Sequence, residues 1–123
     1  MQIPKLVKKM RRGSFAVSKI TSISFEPGSV LEMIETFCFN NCPIESVIFP
    51  EGFLTLSDAA FDTCPSLHTI GIPSTTKKIS NTAFSGCPKL STITVDPSNQ
   101  YYHVIDGILY SKDNTSLDRK SVV

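Results

Sequence analysis

Ala60-Phe61-Asp62-Thr63-Cys64-Pro65-Ser66-Leu67-His68-Thr69-Ile70-Gly71-Ile72-Pro73 is followed 23 residues on by a near copy, Ala83-Phe84-Ser85-Gly86-Cys87-Pro88-Lys89-Leu90-Ser91-Thr92-Ile93-Thr94-Val95. The same offset separates Pro4, Pro27, Pro50 and Pro73, and Asp96-Pro97 stands where the next proline would fall. Phe15, Phe39, Phe61 and Phe84 recur with this beat. So do Met10, Ile34, Leu56 and Ile79, then Ile23, Val47, Ile70 and Ile93, then Phe25, Phe49, Ile72 and Val95. Ile20, Leu67 and Leu90 make an interrupted fifth column. One such unit cannot bury its own apolar face, but stacked units cover one another, so the core is a set of side-chain columns.

Local chemistry assigns the elements. Ile20–Phe25, Ser46–Phe49, His68–Ile72 and Ser91–Val95 are short, β-rich and alternating, and proline or Asp-Pro ends each of them. They are read as strands that pair in parallel from unit to unit. Ser57–Thr63 and Ser80–Gly86 open with Ser-Asp or Ser-Asn before Ala-Phe, which predicts one short helical turn per repeat. The expected fold is a β-rich α/β solenoid of about four repeats, near 4–26, 27–49, 50–72 and 73–95. A hairpin-containing end segment, 96–123, is expected to sit on the last repeat.

Composition narrows the function classes. The chain has 123 residues, 41% hydrophobic and 19% charged, which suits one globular unit and not a disordered chain. No apolar run approaches the length of a membrane span. The net charge is +1, too small for general attraction to nucleic acid or acidic membranes. It conceals an asymmetry: residues 1–25 carry six bases and no acid, and residues 26–64 carry seven acids and no base. Met1–Arg12 is basic, but no signal-length apolar stretch follows, so the chain as written reads as lacking a secretory signal.

The pattern Ala-Phe-x-x-Cys-x-x-Leu-x-x-Ile-x-Ile-Pro at residues 60–73 resembles the BspA-like leucine-rich repeats. The tail is similar too, with Tyr101-Tyr102, Ile105-Asp106-Gly107-Ile108-Leu109-Tyr110 and Lys112-Asp113 matching a hairpin that interrupts or closes such arrays. The resemblance implies a leucine-rich-repeat array and a non-catalytic protein-binding role. It also implies cell-surface or secreted location and adhesion to host cells or to matrix proteins such as fibronectin. No cofactor, metal, nucleic acid or membrane insertion is expected. The alternative is a structural module that associates end to end through open repeat ends.

The residue types that carry chemistry have structural explanations. Cys42, Cys64 and Cys87 share one repeat column, and Cys38 stands where Ala60 and Ala83 recur, so they read as buried thiols. Their spacing lacks the paired ligands of a zinc site. His68 and His103 have no evident route to a cysteine nucleophile. Lys8-Lys9-Met10 aligns with Lys77-Lys78-Ile79, so the basic stretch reads as the outside of a repeat. Tyr101, Tyr102 and Tyr110 are expected to plug the end of the array.

Strand alternation singles out a candidate partner-binding face. With Ile70 and Ile72 inward, Thr69 and Gly71 point outward, as do Ser22 and Ser24, Ser46 and Ile48, and Thr92 and Thr94. Six of these eight are Ser or Thr and none is charged. Such a surface can meet an extended protein segment without stripping water from fixed charges.

Overall fold

The computed structural model describes residues 1–112; the end segment's residues beyond them, with the hairpin match at Asp113, lie outside the described residues. The chain winds into parallel coils. Along one side run β2 (Lys9–Met10), β4 (Met33–Ile34), β6 (Thr55–Leu56) and β8 (Lys78–Ile79), paired in that order. Along another run β5 (Ser46–Ile48), β7 (Thr69–Ile72) and β9 (Thr92–Val95). β1 (Gln2–Ile3) pairs in parallel with β3 (Ser24–Phe25), and β10 (Tyr102–Ile105) forms an antiparallel hairpin with β11 (Ile108–Ser111). The strand-to-strand register repeats the sequence offset: Thr55 faces Lys78, and Thr69 faces Thr92.

The columns read from the sequence form the core. Phe39, Phe61 and Phe84 are buried, and with Phe15 their rings stack at centroid distances of 5.4, 5.2 and 5.7 Å. Phe49 stacks on Phe53 at 4.6 Å and meets Phe61 edge-on. Ile44 fills the gap between Ile20 and Leu67. Sequence spacing concealed it, because Ile44 follows its cysteine by two residues where Leu67 and Leu90 follow theirs by three. A further column runs through Val7, Leu31, Phe53, Thr76 and Asn99, apolar at first and polar at the last two coils, a change of chemistry that hides it in the sequence.

The expected helical turns are absent among the described residues. Ser57–Thr63 and Ser80–Gly86 are chains of tight turns. The reason lies in the backbone. Phe37, Asn41, Ala59 and Thr63 have φ of 59°, 57°, 54° and 57°, two residues to either side of Phe39 and Phe61. Left-handed residues at that spacing interrupt a helix. Alternate N–H groups close turns within the coil, as from Ala60 to the Ser57 carbonyl and from Asp62 to the Ala59 carbonyl. The others reach the next coil: Phe39 donates to Ala60 at 2.8 Å, Asn41 to Asp62 at 2.8 Å and Phe61 to Ala83 at 2.8 Å. Cross-coil pairing has replaced the i→i−4 bonds of a helix.

The charge asymmetry also has a local use. Glu26 Oε1 accepts from the Lys5 N–H at 2.7 Å, Glu35 Oε1 from the Arg12 N–H at 2.9 Å and Glu51 Oε1 from the Ser74 N–H at 3.1 Å. These carboxylates tie backbone amides of neighbouring coils, so part of the acidic segment is structural.

The hairpin continues the repeat beat before it turns. Tyr102 falls 23 residues after Ile79, and its hydroxyl accepts from the Ile79 N–H at 2.7 Å. Tyr102 is buried and covers the core there, whereas Tyr101 is exposed and Tyr110 half-buried. Of the three tyrosines expected to plug the array, only Tyr102 is buried.

Candidate functional site

Six of the eight outward residues lie together on β5–β7–β9. Ser46, Thr69 and Thr92 form one register row, and Ile48, Gly71 and Thr94 the other. Ser22 and Ser24 are set apart. Ser24 is on β3, paired with Gln2 of β1, and Ser22 precedes the strand, its carbonyl accepting from the Met1 amino group. The step from Ile23 to Val47 is 24 residues, because Glu26 is an extra residue between Phe25 and Pro27. The coil contact there is the Glu45 N–H to the Thr21 carbonyl at 3.1 Å. The single sheet face expected along all coils is therefore divided at its second coil.

The surviving face is not uniformly hydroxylic. Ile48, on the edge strand β5, is 59% exposed and leans across Gly71, which is outward in register but buried beneath it. A Cβ on Gly71 would meet Ile48 Cδ1 at 2.8 Å and Thr94 Oγ1 at 3.3 Å, so the bare backbone is what lets the isoleucine lie there. Beside it is a depression of about 240 Å³ floored by Gly71 and Ile72 and edged by Glu51, Thr94 and Asp96. The Thr69 hydroxyl is engaged by His68 Nδ1 at 2.8 Å, which adds His68 to the rim. Its position immediately before an outward strand residue was the available signal.

The other candidate groups are dispersed. Each repeat thiol donates to the carbonyl of the preceding coil's phenylalanine: Cys42 to Phe15 at 3.1 Å, Cys64 to Phe39 at 3.3 Å and Cys87 to Phe61 at 3.2 Å. The ring of His103 meets that of Tyr110, so neither histidine is directed at a thiol. All four cysteines are free, and Cys87 alone among them is partly exposed. Burial pushes the Cys38 thiol up to about 12. Hydrogen bonding to Cys87 and burial raise Cys64. Among the described residues no group of three or more His, Cys, Asp or Glu could hold a metal ion, and no helix is long and apolar enough to cross a membrane.

The thiols make a prediction. Cys87 should react first with an aromatic disulfide reagent in the folded protein, and Cys38, Cys42 and Cys64 only as the chain unfolds. The unfolded Cys38 thiol ionises near its ordinary value of 9.0, whereas the folded one holds its proton to about 12. Its contribution to stability is thus complete below pH 9.0 and is lost as pH rises towards 12. Urea midpoints measured across that range should fall, and Cys38→Ala should make the fall shallower.

A stack of parallel coils with inward aliphatic and phenylalanine columns defines a leucine-rich-repeat solenoid, a class of protein-interaction module that is typically non-catalytic. The chain belongs to the BspA-type leucine-rich-repeat family, whose repeat region matches residues 1–106 as six copies. Among solved structures, the pneumococcal vaccine antigen PcpA is similar at 25% identity and a TM-score of 0.72, over 91% of this chain and 34% of that one. A leucine-rich cell surface protein from Faecalibacterium prausnitzii is similar at 22% identity and a TM-score of 0.48, over 97% of this chain and 43% of that one. The chain therefore spans about a third of the PcpA chain it matches. Comparison with curated proteins finds no match.

Proposed function

We propose that this chain is a non-catalytic adhesion module that binds a host or extracellular-matrix protein through the β5–β7–β9 face. The observation that carries this reading is an uncharged β5–β7–β9 face with Ile48 exposed on its edge strand β5. An exposed aliphatic residue framed by hydroxyls supplies what a protein contact uses: a dry anchor and an adaptable polar surround. The family membership and the likeness to PcpA, a vaccine antigen, support a protein-interaction role. Ser46, Ile48, Thr69, Thr92 and Thr94 are the contact set; Gly71, buried beneath Ile48, supports it, and Ser22 and Ser24 are at most its margin.

The test is surface plasmon resonance of the monodisperse protein over immobilised matrix proteins, fibronectin included, with light scattering alongside. Saturable binding is expected, and it should be lost in Thr69→Lys/Thr92→Lys and weakened about tenfold or more in Ile48→Asp. All these positions point away from the core, so thermal unfolding should be little changed. Absence of binding by the folded wild type, or equal binding by the folded variants, overturns the reading.

A further inference from the structure

The sheet formed by β2, β4, β6 and β8 carries a second surface with a different chemistry. Its inward residues are Met10, Ile34, Leu56 and Ile79, all buried. Its outward residues run Lys9, Met33, Thr55, Lys78 in strict register. A groove of about 640 Å³ opens over this sheet. Lys8, Lys9 and Arg11 line one end, and Met33, Leu54 and Thr55 form its floor. Beyond Thr55 and Leu54 the next coil presents Lys78 and Lys77, both exposed. The surface is thus a half-buried apolar floor between two cationic ends.

Dimensions select the ligand. Lys9 and Lys78 are three strand steps apart, about 14 Å at the usual spacing of paired strands. An extended peptide covers that distance in about four residues, and its residues i, i+2 and i+4 share one face. We infer that this groove binds an extended protein segment with acidic residues at i and i+4 and an apolar residue at i+2. The acids meet the Lys8/Lys9/Arg11 and Lys77/Lys78 ends, and the apolar side chain lies on Met33 and Leu54.

Glu32 sharpens the choice. It lines the same groove, in the cross-strand row between Lys8 and Leu54. A polymer with a charge on every unit runs its middle charges against this carboxylate. A segment whose acids are separated by an uncharged middle does not. The groove therefore favours a protein segment over a sulfated glycan or a nucleic acid, by repulsion as well as attraction.

The experiment is fluorescence anisotropy of the whole chain with a labelled peptide of core sequence Glu-Ser-Leu-Ser-Glu, flanked by glycines. Comparison peptides place the two glutamates side by side, or replace leucine by serine. Saturable binding to the first peptide is expected, weakened about tenfold by Lys9→Ala/Lys78→Ala, by Met33→Ser and by either peptide change. Binding should also weaken with added salt. No binding to the first peptide overturns the inference, as does equal binding of the peptide with adjacent glutamates. Tighter capture of a heparin-type glycan, unaffected by Met33→Ser, also overturns it and assigns the lysines to a polyanion. Thr69→Lys/Thr92→Lys lies on the other sheet and should leave peptide binding unchanged, so this surface and the adhesion face fail or stand separately.

Discussion

Phe61→Ala should cost about 3–5 kcal/mol of unfolding free energy, the largest loss among single substitutions at the phenylalanine column. Phe61 is fully buried and has three aromatic neighbours: Phe39 at 5.2 Å, Phe84 at 5.7 Å and Phe49 edge-on at 6.0 Å. Truncation removes the transfer energy of the ring and leaves a cavity that the coils above and below cannot close, because cross-coil hydrogen bonds fix their spacing. Phe15→Ala is the control. Phe15 is half-buried and stacks on Phe39 alone, so its loss should be less than half as large. Urea unfolding followed by circular dichroism measures both, and equal losses would show that the column does not act as a stack.

Asn99→Ala should cost about 2–4 kcal/mol, a large effect for a polar residue. Asn99 is 1% exposed and uses its whole amide. Nδ2 donates to the Pro73 carbonyl at 2.8 Å and the Thr76 carbonyl at 3.1 Å, while Oδ1 accepts from the Tyr101 and Tyr102 N–H groups at 2.7 and 2.9 Å. Alanine orphans buried carbonyls and amides that no water replaces without opening the coil. Leucine, close in volume, should not rescue it, because the deficit is polar. Hydrogen exchange should show the Tyr102 amide losing protection before the amides of β7.

The columns were legible because burial leaves little freedom: Phe39, Phe61 and Phe84 are stacked in successive coils, and few other residues fill that volume. The turns depart from the expected helix for a physical reason. Ser-Asp-Ala-Ala-Phe has helix-start chemistry, but whether it continues depends on the sign of φ at Ala59 and Thr63. No side chain there announces a left-handed residue; the hints are Asn41, Gly13 and Gly86 at the matching positions of other coils. The outward face was legible from alternation on the four-residue strands β7 and β9. Its interruption at Ser24 was not, since one extra residue at Glu26 looks like a slip in the beat. The Lys9–Lys78 row was half visible in the matched Lys-Lys-hydrophobic triplets. Its groove was not, because two-residue strands carry no alternating pattern to read.

The backbone cross-coil bonds at the phenylalanine corner all run one way. Gly13, Phe15 and Val17 donate to the second coil; Phe37, Phe39 and Asn41 donate to the third; Phe61 and Thr63 donate to the fourth. The corner is consequently a vector, with N–H groups leading and carbonyls trailing. Any added coil, whether from the same polypeptide or another, finds its hydrogen bonds only when it enters head to tail. Two copies meeting face to face about a two-fold axis would set donor against donor at this corner. At this corner the backbone thus favours head-to-tail stacking over a closed face-to-face pairing.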